Sequence, residues 1–190
     1  MLRGIAIFIA SVTILAPRLV AQEAAVNDER GIYEAVTKEI FKSGVPASFV
    51  VPAVPRVVPP LSASQWDRLG AVPTELRTKV ANLPPTPSPE DRGLHKPEAF
   101  PAGAHIVPAA DLRALTTGAP NNGYPAMQAK YQARDMVSFS KPIATADGLD
   151  VLVSFGHGCG ALCGTAGYAW LHRASKTDPW TVKIVIIAVA

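Results

Sequence analysis

Apolar positions in the last third of the chain recur at every second residue. Val137 and Phe139 alternate with Ser138 and Ser140, and Val151, Val153 and Phe155 share one face of a return segment whose other face carries Leu152 and Ser154. This period marks half-buried strands. Asp147-Gly148 between them predicts a two-residue type I′ hairpin turn with positive φ at both positions. Pro142 predicts that the first strand is bulged or at an edge. Tyr168 to Arg173 forms a third strand, Lys176-Thr177-Asp178-Pro179 a turn, and Trp180 to Val189 a fourth strand. From Ile184 onward that strand is apolar on both faces and must be covered on both, since an exposed apolar strand is an aggregation template.

Upstream the period changes. Gln22 to Arg30 is polar and predicted loose, and Gly31 opens a helix with Ile32, Val36 and Ile40 at i, i+4 and i+8. Tyr33 and Phe41 widen that stripe, while Glu34, Lys38 and Lys42 lie off it. Ser43-Gly44 supplies the stop. From Val45 to Pro125 the chain holds 15 of its 18 prolines, each of which removes a backbone donor and fixes φ. Phe49 to Val51 is a short strand that Pro52 and Pro55 confine to an edge. Pro73 starts a helix to about Leu83 with Leu76, Val80 and Leu83 on one face. Pro84 to Pro89 is an extended connector, a stiff linker rather than a PxxP ligand. Ala109 to Leu115 makes a short helix with Leu112 and Leu115 inward, and Pro125 starts another to about Tyr131. The expected fold class is α+β: a four-stranded antiparallel meander packed against N-terminal helices.

The N-terminus changes the length to be folded. Arg3, an apolar run from Gly4 to Ala16 and the small-residue site Leu19-Val20-Ala21 have the layout of a secretory signal peptide. The run is short of the roughly 20 residues that a membrane span needs. Cleavage after Ala21 leaves residues 22–190 as a single domain, with the proline-rich stretch 45–125 as its connecting region. Loss of Arg3 and Arg18 reduces the formal charge from +3 to near neutrality, which argues against nucleic-acid or anionic-membrane partners. An exported protein, periplasmic or secreted, can pair its two cysteines.

The C-terminal third also carries a resemblance. Tyr124-Pro125, Ser138-Phe139-Ser140, the loop Cys159-Gly160-Ala161-Leu162-Cys163-Gly164, then Arg173 and Trp180-Thr181-Val182 resemble small exported bacterial proteins of unknown function. These share a Cys-Gly-x-Leu-Cys-Gly loop between two antiparallel strands. The resemblance implies a fold and no mechanism.

The candidate chemistry centres on that loop: His157, Gly158, Cys159, Gly160, Cys163 and Gly164. The glycines argue against a helical arrangement of the cysteines and permit a tight loop. A Cys159–Cys163 disulfide is the favoured state, and closing so short a ring is worth about 2 kcal/mol. A metal would need four ligands. His157 is adjacent, but His172 lies at the far end of the hairpin, more than about 15 Å away, so a fourth ligand is missing. Thiol exchange uses C-x-x-C at a helix N-terminus, whereas this spacing is one longer with no helix following. No hydrolase or phosphate-binding motif is present. Asp111, Asp135 and Asp150 are scattered, Ser154 and His157 point to opposite faces, and His95 and His105 read as solvated loop side chains. Tyr168, Trp170 and His172 share a strand face, which is core if a helix covers it and otherwise a surface for a peptide or glycan. No catalytic residue, metal or cofactor is assigned. The expectation is an exported, non-catalytic binding or structural domain, the alternative being a small enzyme, metal-binding or thiol-redox protein acting through the loop.

Overall fold

The computed structural model describes residues 15–84, 93–119, 123–160 and 163–189, with side chains of the first helix from Asp28 onward. Helix α1 (Leu15–Ile40) is followed by strand β1 (Phe49–Pro52) and helices α2 (Ala63–Leu69) and α3 (Thr74–Ala81). After a 3-10 turn at Pro97–Ala99 come β2 (Ala104–Val107), α4 (Ala109–Thr116) and α5 (Tyr124–Tyr131). The remaining elements are β3 (Asp135–Phe139), β4 (Ile143–Ala144), β5 (Asp150–Gly158), β6 (Gly164–His172) and β7 (Thr181–Val189). The chain is α+β with a mixed sheet in the order β2-β1-β3-β5-β6-β7 and β4 paired to β5.

The antiparallel run β3-β5-β6-β7 extends further than a four-stranded meander, because β1 and β2 continue the sheet in parallel. Strand β1 is interior rather than an edge. Its Phe49, Val50 and Val51 are fully buried, flanked by β2 along its whole length and by β3 only as far as Val50. Pro52 ends the strand beyond the β3 ladder, so its missing donor costs no bond on that side. Pro142 marks a bulge: three residues separate Phe139 from Ile143, against two between their partners Leu152 and Phe155. Within it the Ser140 Oγ accepts the bond from the Ser154 amide at 2.9 Å.

Other turns and termini depart from expectation. Gly148 has φ 72°, but Asp147 keeps a negative φ, so the hairpin is not type I′. Instead the Gly148 amide donates to the Thr145 carbonyl at 3.0 Å. The Asp147 carboxylate accepts from the Thr145 hydroxyl and the Leu149 amide, a local side-chain turn that needs only one left-handed residue. Helix α1 includes residues 22–30, predicted loose. Helix α2 has no apolar period long enough to announce it. Its signal is the capping box of Ser62 and Gln65, each bonding the other's backbone amide. The Pro85–Pro89 part of the connector lies outside the described residues.

Helices cover both faces of the sheet, not one. On the first face, Ile32, Tyr33 and Val36 of α1 meet Phe49, Val51, Val137, Phe139, Val153 and Phe155 in one cluster. On the other face there are two. Leu69, Leu76 and Val80 of α2 and α3 pack on Leu152, Tyr168 and Val185, while Met127 of α5 packs on Val50 and Val107. Strand β7 is the sheet edge, and both its faces are covered from Ile184 to Ile187: Ile184 and Ile186 pack on the first cluster, Val185 and Ile187 on the second. The expected cover does not reach Ala188 and Val189, which are exposed. Arg173 fixes α1 to the hairpins. Its guanidinium pairs with Asp28 at 2.9 Å, stacks over Trp180 at 4.0 Å and donates to the carbonyls of Gly148 and Lys176.

Candidate functional site

Between the two clusters of the second face the strands carry small residues. Ser138, Gly156, Gly158 and Ala166 form the floor of a groove of about 310 Å³, bordered by Met136 and Val189. Two polar side chains rest on this floor. The Arg56 guanidinium lies over Gly156, where a Cβ would stand 2.6 Å from Nη1 and 2.9 Å from the Ser138 Oγ. The Tyr124 hydroxyl occupies the space a Cβ on Gly158 would take. The glycines of β5 are therefore places where two polar groups come down onto the backbone, the close approach that only glycine permits.

Partial burial is unfavourable to such an arginine, which nevertheless keeps its charge. Arg56 is partly buried, and desolvation lowers its proton affinity. Its only other influence is the Tyr168 hydroxyl, so no carboxylate balances it among the described residues. Tyr168 donates to the Pro59 carbonyl at 2.9 Å, and burial raises its own pKa. The Tyr124 hydroxyl is also raised by burial, opposed by a bond from the Gly160 backbone. One strand position before Gly156 on this face, the Ser154 Oγ is buried with no partner among the described residues.

The cysteine loop closes the same end of the sheet. Gly158 pairs with Gly164 as the last rung of β5 and β6, and Cys159 and Cys163 are disulfide-bonded with Cα atoms 5.2 Å apart. The Cys159 amide donates to the Cys163 carbonyl at 3.0 Å, and Gly160 takes φ 136°. Ala161 and Leu162 lie outside the described residues. A strand, not a helix, follows Cys163, so no helix dipole is available to hold a thiolate there.

His157 points to the opposite face from the groove floor. Its Nε2 meets the Asp135 Oδ1 at 2.8 Å, and Phe41 packs edge-on against its ring at 4.8 Å. Asp135 is not isolated, as its spacing in the sequence implied. Val137 is the cross-strand partner of His157, which makes Asp135 its diagonal neighbour on the same face.

The aromatic face of β6 divides. Tyr168 is fully buried core, Trp170 is partly covered, and His172 is exposed. The Trp170 Nε1 and His172 Nδ1 both contact the Asp150 carboxylate, at 2.9 and 3.0 Å. His172 lies opposite Asp150, at the other end of β5 from the loop. His95 is the clear correction among the histidines, because it is a core residue and not solvated. Its Nε2 donates to the Phe139 carbonyl at 3.1 Å, which leaves Nδ1 as the acceptor facing the Tyr33 hydroxyl. Burial lowers its pKa to about 4, with a smaller contribution from Lys141 and opposition from the Phe139 bond. Arg56, Tyr124 and Ser138 had no signal as a group in the sequence, since they come from three separate segments. Only Gly156 and Gly158, alternating within a strand, hint at a close approach.

No family model, curated protein or solved structure matches this chain. Among the described residues no helix is long and apolar enough to cross a membrane.

Proposed function

We propose that this chain is an exported, non-catalytic binding domain that seats a small anionic group, a carboxylate or phosphate, in the groove on the second sheet face. The observation that carries the reading is Arg56, a partly buried guanidinium without a carboxylate partner among the described residues, laid on glycine beside a cavity. A guanidinium offers a planar fork of donors that matches either anion. Ser138 lines the groove, the Tyr124 hydroxyl lies against Gly158 of its floor, and the groove is of the size that small ligands occupy. The acidic end of a peptide or an acidic sugar would present such a group. Export follows the signal-peptide layout, and cleavage after Ala21 leaves the Asp28–Arg173 pair intact.

The experiment is a titration of the oxidised protein with acetate-class carboxylates and with phosphate monoesters, read by amide chemical shifts. Saturable shifts at Ser138, Gly156 and Gly158 are expected. Arg56→Gln should weaken binding by at least about tenfold, since a charge-assisted bond contributes about 1.5–3 kcal/mol. Absence of saturable shifts with either class, or equal affinity in the variant, would overturn the reading.

A further inference from the structure

We propose that Asp135, His157, Cys159 and Cys163 form a four-ligand site for a zinc-type divalent cation when the Cys159–Cys163 bond is reduced. The ligand atoms of Asp135, His157 and Cys159 already lie within 4.8 Å of one another. The Cys163 sulfur is bonded to that of Cys159 and is therefore the adjacent fourth donor. The sequence alone places two thiols and one imidazole here. The register of β3 against β5 supplies the missing carboxylate.

Tetrahedral geometry with metal–ligand bonds of about 2.0–2.3 Å places neighbouring ligand atoms about 3.3–3.8 Å apart. Asp135 and His157 must therefore part slightly from their 2.8 Å contact, and Cys159 must close in by at most about 1 Å. The sulfurs must separate from bonding distance. Gly158, Gly160 and Gly164 flank the cysteines, so the backbone that has to move carries residues with the widest range of allowed conformations. The Asp135 and His157 side chains retain 18% and 16% of their exposure, which leaves a path for an ion. Two thiolates, one imidazole and one carboxylate make a borderline-soft donor set, suited to zinc rather than magnesium or calcium.

The oxidised loop cannot do this, because the thiolate and not the disulfide sulfur is the metal ligand. The two states exclude each other. A dithiol reductant transfers two electrons and two protons to the Cys159–Cys163 bond, becoming a disulfide itself and leaving two thiols. The cation then displaces the two thiol protons to solvent. The loop thus has an oxidised form that clips the end of β5 and β6 and a reduced form that takes metal at the same point.

The test uses the full mature chain, reduced with a phosphine and titrated anaerobically with cobalt(II). One equivalent should produce the intense visible bands of tetrahedral cobalt and a thiolate-to-cobalt charge-transfer band, and zinc should bleach both. Oxidised protein should produce neither. Asp135→Asn and His157→Asn should each weaken cobalt binding by at least about tenfold, the scale seen even when outer-shell partners are lost. Cys163→Ser should roughly halve the charge-transfer intensity. A pale octahedral spectrum from the reduced wild type would overturn the proposal. So would an unchanged titration of Asp135→Asn, which would mean that the cysteines alone hold adventitious metal. Should His157→Asn lose its fold by circular dichroism, because of its packing on Phe41, the Asp135 variant decides. Anion binding is measured on oxidised protein, so neither result depends on the other.

Discussion

The same strands present one closed face and one divided face. Under α1, alternate residues of β1, β3 and β5 are Phe49, Val51, Val137, Phe139, Val153 and Phe155, and they join into a single aromatic and aliphatic cluster. One residue along each strand, the opposite face offers Ser138, Gly156 and Gly158 between two separate clusters. The pleat sends neighbours to opposite faces, so a single sheet can hold a dense core on one side and a groove on the other. On the first side apolar side chains fill the space between layers. On the second, missing side chains create it, and Arg56 and Tyr124 enter where a Cβ is absent.

The largest expected effect separates neighbouring residues of β3. Phe139 is fully buried, so Phe139→Ala should destabilise by about 3–5 kcal/mol, measured by urea denaturation. Ser138→Ala should leave the denaturation midpoint nearly unchanged, because among the described residues its hydroxyl has only a long 3.5 Å bond to the Gly156 carbonyl. Equal effects of the two variants would mean that both faces are core.

Acid should weaken the closed face through His95. A histidine whose pKa falls to about 4 on folding, from about 6.5 unfolded, is neutral in the native state. The unfolded chain then binds more protons between those values. Stability is full above about pH 6.5 and is lost as the pH falls toward 4, by on the order of 3 kcal/mol at most. Gln keeps a donor toward the Phe139 carbonyl and does not titrate. The difference in stability between wild type and His95→Gln should therefore narrow as the pH falls from 7 to 4.5. A difference that stays constant would place the histidine in water.

A smaller contrast sharpens the comparison at two glycines. A Cβ on Gly167 would run into the Val185 carbonyl and stand 3.0 Å from the Phe155 ring, neither of which can yield. Gly167→Ala should cost about 1–3 kcal/mol, as overpacking does. The atoms nearest a Cβ on Gly156 are the ends of the Arg56 and Ser138 side chains, which can turn away. Gly156→Ala should change stability by less than about 1 kcal/mol while abolishing the anion-dependent shifts. A large loss of stability there would make Arg56 a structural residue.

Local periodicity was enough to predict the strands around Val137, Val151, Tyr168 and Ile184, the stripe of α1 at Ile32 and Val36, and the helix started by Pro73. Each depends on side chains spaced along one segment, and burial of one face fixes the period. The cover of β7 as far as Ile187 was legible for the same reason, and the bulge at Pro142 was one of two options left open by its missing donor. The true hairpin turn was not legible, because Asp147 could satisfy it through its side chain. Only the tertiary structure decided that β1 lies inside the sheet, that His95 is core, that Asp135 meets His157 and that Arg56 rests on Gly156. These pairings join segments tens of residues apart, and strand order and register, which no local spacing specifies, determine which of them touch.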